Sequence, residues 1–427
     1  MIVGSVVLFV VLILVGLDIG FSMITAAMVG MLFNANGGLD LIVQVPLTML
    51  GGIDETALVA IPLFILAGEL MNRGGVTLLL INWSMAMVGH LRGSLSQVSL
   101  TTNLVMAGIS GSAVADASAI GTAMIPSMKQ EGYRRGYPEA VVACGAMLGP
   151  ILPPSIPMIV YAVLANLSII RLFLAGIIPG FMLLAGYMVI CAWQARRHHY
   201  RSRPRASWPE RARVTRASIW ALLMPVFIVV GIRFGLLTDT EAAAFVAVYA
   251  LLVGLMVYRE LKPGHLGEVF YSAGRTMAVV LFLLAAAGPF SWLISESRVA
   301  ATIAHAILSV SDQPWMILLT VNVFLILVGK ILEPLPAMII TLPALLPIGA
   351  QLGIDPIQYA MILILNLMTG MLTPPVGILL FVTSAVGRTP VGPIVREIVP
   401  FFIWSLIVLT LICAFPPLTL WLPSLGS

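Results

Sequence analysis

The chain has 427 residues, of which 60% are hydrophobic and only 9% charged, with a formal net charge of +4. Ordinary soluble domains carry roughly 25% charged residues, and a mean hydropathy of +1.07 is more than one or two soluble cores can bury. A soluble enzyme is excluded, and so is a nucleic-acid-binding domain, because the basic residues sit in short loops between apolar runs and form no polar face.

Apolar runs near 3–16, 20–33 and 56–72 open the chain, followed by an amphipathic stretch at 77–91. The segment 93–128 is interrupted by AGISGSAVAD, 138–166 is broken at a double proline, and 171–195 is continuous. The polar loop 196–216 carries eight arginines, from Arg196 to Arg216. Beyond it come 217–234, 237–258 and 275–294, the amphipathic stretch 298–311, an interrupted 314–350, a broken 356–387, and 396–422. The runs are long enough to cross a hydrocarbon core of about 30 Å, so the pattern predicts an all-α polytopic membrane protein in a lipid bilayer. The first run lacks a basic leader and a small-residue cleavage site, so no cleavable signal peptide is expected. Cys144, Cys191 and Cys413 lie in apolar stretches without ligand spacing and read as packing residues.

The two halves repeat. Gly149, Pro153 and Pro154 of GPILPPS correspond to Gly370, Pro374 and Pro375 of GMLTPPV at an offset of 221 residues, which also relates Gly108 to Gly329, Ala123 to Ala344 and Pro126 to Pro347. Two repeats are therefore expected, 1–195 and 217–427, joined by the basic loop. If the interrupted segments 93–128 and 314–350 are re-entrant hairpins, all but Arg171, Arg233, Arg298 and Lys330 of the 22 Lys and Arg residues fall on the side of that loop. That side is then cytoplasmic, both termini are periplasmic, and the second repeat is inverted relative to the first. Inverted repeats with broken helices meeting near mid-membrane belong to secondary transporters.

Non-helical backbone at membrane depth survives only where protein or a cavity surrounds it. Gly108–Asp116, Gly149–Ser155, Gly329–Pro336 and Gly370–Pro375 are such places. Proline frees a carbonyl one turn earlier, and Ser110, Ser112, Ser155 and Thr373 add hydroxyls. Weakly charged oxygen cages of this kind suit an alkali cation. Asp116 and Glu333 sharpen the point, since an intramembrane carboxylate calls for a cation or a donor. Asp116 could instead cap the second hairpin helix, and Glu333 could pair with Lys330 three residues away. Glu69 and Glu241 read as structural, and His198 and His199 as solvated loop charge. Lys129, Lys262 and Lys330 are followed by Gln, Pro and Ile, so the Gly-Lys-Ser/Thr of a Walker A loop is missing. No enzymatic activity and no organic cofactor are expected; an ion gradient is.

The stretches IPLFILAGELMNRGG (61–75), AGISGSAVADASAIGTAMIPSMKQEGY (107–133), GPILPPSIPMIVYA (149–162), AGIIPG (175–180), TEAAA (240–244) and GMLTPPVG (370–377) together resemble the large membrane subunit of TRAP (tripartite ATP-independent periplasmic) transporters, the DctM-like family. The resemblance covers essentially the whole chain. It implies an elevator-type fold, similar to the ion transporter superfamily, and sodium-coupled import of a small organic acid across the bacterial inner membrane. A periplasmic substrate-binding protein would deliver the acid. Carried onto this sequence, one Na+ site would use Ser110, Asp116, Gly149 and Pro153, and the other Gly329, Glu333, Gly370 and Thr373. Ser112 and Ser155 would contact the substrate carboxylate. Met1 leads directly into the first span, so a separate small four-helix membrane subunit is expected, with 77–91 and 298–311 as lateral arms. The nearest different reading is a stand-alone sodium/dicarboxylate elevator symporter that needs no binding protein. A passive channel and a non-transporting assembly subunit are the more distant ones. The sequence does not name the acid.

Overall fold

The computed structural model describes residues 2–33, 38–296 and 313–425, and all regular structure among them is helical. In chain order the helices are α1 (Ile2–Val15), α2 (Ile19–Leu32), α3 (Gln44–Gly51), α4 (Ala60–Arg73), α5 (Val76–Val88), α6 (Ser94–Ser110), α7 (Ala113–Gln130), α8 (Tyr137–Ala146), α9 (Ile156–Leu164) and α10 (Ile169–His198). Then follow α11 (Trp208–Arg233), α12 (Asp239–Leu252), α13 (Leu266–Glu296), α14 (Pro314–Ile331), α15 (Pro334–Gln351), α16 (Pro356–Met371), α17 (Ile378–Gly387), α18 (Val391–Ala414) and α19 (Pro417–Ser424).

Polarity decides which helices lie inside. The α6 sequence SLSQVSLTTNLVMAGIS is rich in hydroxyls and amides, yet 14 of its 17 residues are buried. All ten residues of α8 are buried, and 15 of the 16 in α16. These helices are wrapped by protein on every side, which spares their polar groups from lipid. The outer helices are the reverse: only 22% of the most apolar stretch of α11, and of α14, is buried. Seven described helices are long and apolar enough to cross a membrane, or eight if the pair α4 and α5, bent by 70°, forms one span. Both α14 and α15 are among the seven, so length alone would let either cross.

The interruptions expected from the sequence are present. Helices α6 and α7 pack on each other across the two residues Gly111 and Ser112. Leu332 and Glu333 separate α14 from α15. The segments 147–155 and 372–377 break α8/α9 and α16/α17, each around a cis Pro-Pro bond, Pro153–Pro154 and Pro374–Pro375.

Several boundaries differ from the sequence reading. The basic loop is shorter than 196–216, because α10 continues to His198 and α11 starts at Trp208. Nor is it merely solvated. Arg203 pairs with Glu131 at 2.8 Å, the Tyr200 ring stacks on Tyr133 at 4.1 Å, and His198 Nε2 lies 3.1 Å from Arg134 Nη1. Helix α3 was not anticipated; it packs along α13. Helix α13 begins at Leu266, well before 275, and the last span divides at Phe415 and Pro416 into α18 and α19. The amphipathic stretch 298–311 lies outside the described residues.

A part-buried charge cluster ties the two halves of the chain together. Lys129, at the end of α7, pairs with the fully buried Glu139 of α8 at 2.7 Å. The Lys129 ammonium also donates to Thr389 Oγ1 at 2.8 Å and to the Gly387 carbonyl, and the Thr389 hydroxyl donates to Glu139 Oε1 at 2.7 Å. Removing one partner of a buried pair costs about 3–5 kcal/mol, whereas an exposed pair contributes about 0–1 kcal/mol. Glu139→Ala should therefore lower the thermal unfolding midpoint in detergent well below that of Arg73→Ala, which breaks only the exposed Arg73–Glu268 pair at 3.4 Å. Equal shifts would show that Glu139 does not anchor the fold.

Candidate functional site

A cavity of about 530 Å³ lies where the interrupted helices converge. The first hairpin contributes Ser110 to Asp116 with Ser118 and Ala119, and the first broken helix contributes Pro150, Ile156 and Pro157. Glu333, Pro334 and Leu335 come from the tip between α14 and α15, and Met371 from the second broken helix. Helix α4 and one face of α13 close the opposite side.

The first hairpin tip is built by a glycine and two serines. Gly111 has φ of +61°, and a Cβ there would meet the Pro154 carbonyl oxygen at 2.7 Å. A glycine is therefore needed both for the turn and for the close approach to the Pro-Pro break. Ser112 caps α7 by accepting the Ala115 N–H at 3.4 Å. Asp116 is fully buried; its Oδ1 accepts the Ser110 hydroxyl at 2.5 Å and its Oδ2 has no partner. The capping alternative for Asp116 fails, because Ser112 occupies that role and Asp116 accepts no backbone N–H. Gly149 brings the first broken helix against this carboxylate, since a Cβ there would sit 2.8 Å from Asp116 Oδ2. A buried carboxylate oxygen without a donor needs a partner, which a proton, a water or a cation can supply.

The second cluster is held by a glycine pair. A Cβ on Gly370 would lie 2.8 Å from Gly329 Cα, and one on Gly329 would lie 2.8 Å from the Leu367 carbonyl oxygen, so α14 and α16 meet backbone to backbone. Thr373 Oγ1 donates to the Thr369 carbonyl at 3.1 Å. Glu333 is exposed to the cavity at the start of α15, makes no side-chain cap, and forms no ion pair with Lys330.

Four of the ten expected site residues, Ser110, Ser112, Asp116 and Glu333, line the cavity. Gly149, Pro153 and Thr373 belong to the breaks, and Gly329 and Gly370 to the last turns of α14 and α16; none of the five lines the cavity. Ser155 is absent from the cavity lining. It is fully buried, its hydroxyl donates to the Pro150 carbonyl at 2.5 Å, and it accepts the Met158 N–H at 3.2 Å. With its only proton committed, it has no donor for a carboxylate in this arrangement. Ser112 keeps its hydroxyl proton free among the described contacts.

Two wall residues escaped the sequence reading. Glu69 lines the cavity and has no hydrogen bond or ion pair among the described residues, whereas Glu241 is structural, closing a capping box with Thr238. Arg275, expected at the membrane surface, lines the cavity as well. The α13 spacing Ser272, Arg275, Thr276, Val279, Val280, Leu283 is the available signal, a single helical face that grades from polar to apolar.

The family described as tripartite ATP-independent periplasmic transporter, DctM component, matches residues 6–418. The chain belongs to the DctM family. It is 37% identical over 423 residues to the sialic acid TRAP transporter large permease protein SiaM of Vibrio cholerae, covering 99% of this chain and 98% of that one. It is 36% identical over 371 residues to the C4-dicarboxylate TRAP transporter large permease protein DctM of Pseudomonas aeruginosa, 87% of each. Among solved structures, the YdaH transporter of Alcanivorax borkumensis shares the fold, with a TM-score of 0.56 and 14% identity over 91% of each chain.

The glycine contacts give a direct test. Gly370→Ala places its methyl against Gly329 backbone, which cannot rotate away, so the variant should lose about 1–3 kcal/mol of stability, as overpacked sites do. Gly51→Ala, at a helix end with nothing within 4 Å, should be neutral or slightly stabilising. Thermal unfolding of both in nanodiscs is the measurement; a neutral Gly370→Ala would mean that α14 and α16 do not meet there.

Proposed function

We propose that this protein is the transport subunit of a TRAP system and imports a small organic acid across the bacterial inner membrane, driven by sodium. The observation that carries the reading is the convergence of both interrupted tips and both broken helices on one cavity, within a chain of the DctM family. The large permease relatives named for sialic acid and for C4-dicarboxylates place an organic acid first among candidate cargoes.

The proposed chemistry follows from the groups at the tips. One sodium ion is held by Asp116 Oδ2, the Ser110 hydroxyl and the carbonyls freed at Gly149 and Pro153. A second is held between Gly329, Glu333, Gly370 and Thr373. Ions at both places neutralise the carboxylates and make the cavity hospitable to an anion. The acid's carboxylate takes the free hydroxyl of Ser112 and the N-terminal ends of α7 and α9, whose dipoles favour negative charge. Ser155 acts indirectly, by fixing the start of α9.

Movement is proposed as an elevator. The hairpin α6/α7, the two broken helices and α14/α15 form the mobile body, with the Lys129–Glu139–Thr389 cluster fastening its two halves. Helices α4 and α11 to α13 belong to a static frame, whose exposed apolar surface suits lipid and a small four-helix membrane subunit. A periplasmic binding protein delivers the acid on the side of the termini, and the loop between α10 and α11 faces the cytoplasm. The cavity, which runs toward Asn72, Ser272 and Arg275, is then open to the cytoplasm. The protein performs no covalent chemistry.

The test is uptake of labelled N-acetylneuraminate, succinate, 2-oxoglutarate and gluconate into proteoliposomes holding this chain, the small subunit and the binding protein. Each component, and the inward sodium gradient, is omitted in turn. Loss of uptake at every omission is expected. Full uptake without the binding protein would identify a stand-alone symporter, and sodium-independent flux a channel. Asp116→Asn should abolish or strongly reduce sodium-driven uptake while inserting normally, and Ser110→Ala should raise the sodium half-saturation. Wild-type sodium dependence in Asp116→Asn would remove this carboxylate from the mechanism.

A further inference from the structure

The cavity is lined by four residues with ionisable carboxyl or guanidinium groups, and their balance is uneven. Glu69, Asp116 and Glu333 are acidic, and Arg275 is the cation among the described lining residues. A smaller space of about 430 Å³ adjoins the cavity and is lined by Arg73, Gly267, Glu268, Tyr271, Ser272 and Arg275. Ser272 and Arg275 belong to both walls, so Arg275 stands where the cavity meets its mouth. Arg73 at that mouth is already paired with Glu268 at 3.4 Å. Arg275 is exposed and makes no ion pair or hydrogen bond among the described residues.

We infer that Arg275 is a binding residue for the carboxylate of the transported acid, contacting it from the α13 wall as it passes between the hairpin tips and the mouth. The inference rests on the organic-acid reading above and adds a residue and a stage to it. A guanidinium is always charged and presents a fork that matches a carboxylate bidentately. Here the fork is set beside apolar wall residues, Val279, Val280 and Leu283 one to two turns further along the same face, where a charge contact is screened less than in open water. Sodium ions at the two tips would cancel Asp116 and Glu333. Glu69 would remain to repel an anion, and Arg275 is the cavity group that offsets it. Leu283, the far end of the α13 lining face, is eight residues beyond Arg275, or about 12 Å along the helix. An acid leaving the tips along this face therefore meets Arg275 before it reaches bulk water.

The test uses the complete reconstituted system, with whichever of labelled N-acetylneuraminate, succinate, 2-oxoglutarate and gluconate the wild type accumulates under a sodium gradient. Vesicles are preloaded with that acid unlabelled, and counterflow of label is measured against internal acid concentration. Arg275→Gln should raise the internal half-saturation by about tenfold or more, as loss of one partner of a charge pair does, with sodium half-saturation within about twofold of wild type. Arg275→Lys should recover part of the loss, because it restores the charge without the fork. Arg216→Gln, in the exposed first turns of α11, is the charge-matched control. Thermal unfolding in nanodiscs separates misfolding from lost binding: a folded Arg275→Gln with the control's half-saturation overturns the inference. If Arg275→Gln is unfolded, the Lys variant decides alone, wild-type half-saturation overturning the inference and an intermediate value upholding it. An effect that follows internal chloride, exchanged for methanesulfonate at constant ionic strength, would make Arg275 an inorganic-anion site and overturn it as well. Absence of sodium-driven uptake of every acid by the wild type would overturn the organic-acid reading itself, a result seen before any variant is compared.

Discussion

A peptide group that leaves a helix inside a bilayer has no water to bond, and this constraint orders the rest of the structure. The breaks at 147–155 and 372–377, and the turns at Gly111–Ser112 and Leu332–Glu333, all need protein around them. The wrapping explains why α6, α8 and α16, which include the chain's most polar helix, are also its most buried. It also explains why the lipid-compatible exposed surface falls to helices such as α11 and α14. Enclosing the breaks creates the cavity, because tips that must avoid lipid from several directions are brought to one place.

Glycine makes the enclosure tight enough to matter chemically. At Gly111 against Pro154, Gly149 against Asp116, and Gly329 against Gly370, a single methyl group would fall within 3 Å of a neighbouring atom. The Gly149 contact sets the Asp116 carboxyl directly beside a helix break. The Gly329–Gly370 contact does for the second half what Gly149 does for the first, by backbone contact without a buried acid. The two clusters thus share a logic and differ in chemistry: Asp116 is sealed from solvent, and Glu333 is open to the cavity.

The cavity's own electrostatics complete the picture. Its acidic tips suit cations, its helix N-termini suit a carboxylate, and its α13 wall carries one guanidinium toward the mouth. The cavity lining thus carries three carboxyl side chains and one guanidinium among the described residues. The Lys129–Glu139–Thr389 cluster joins the end of α7 and the start of α8 to the chain just after α17, and so links elements from both halves.

The class of protein, the positions of the breaks and the family were all readable from the amino acids alone. Each rests on local information: runs of apolar residues, glycine and proline at fixed spacing, and motif text such as AGISGSAVAD and GPILPPS. Ser110, Ser112, Asp116 and Glu333 were legible for the same reason, being polar residues at the interruptions themselves. Which way the side chains face depends on how the helices pack. Ser112 and Ser155 occupy similar helix-start positions in the sequence, yet one borders the cavity and the other spends its proton on Pro150. Glu69 and Arg275 look like an interior acid and a surface base until α4 and α13 are packed opposite the tips. A helix carries its own periodicity, but the partner each face meets is set by elements up to two hundred residues away, and no local pattern contains that choice.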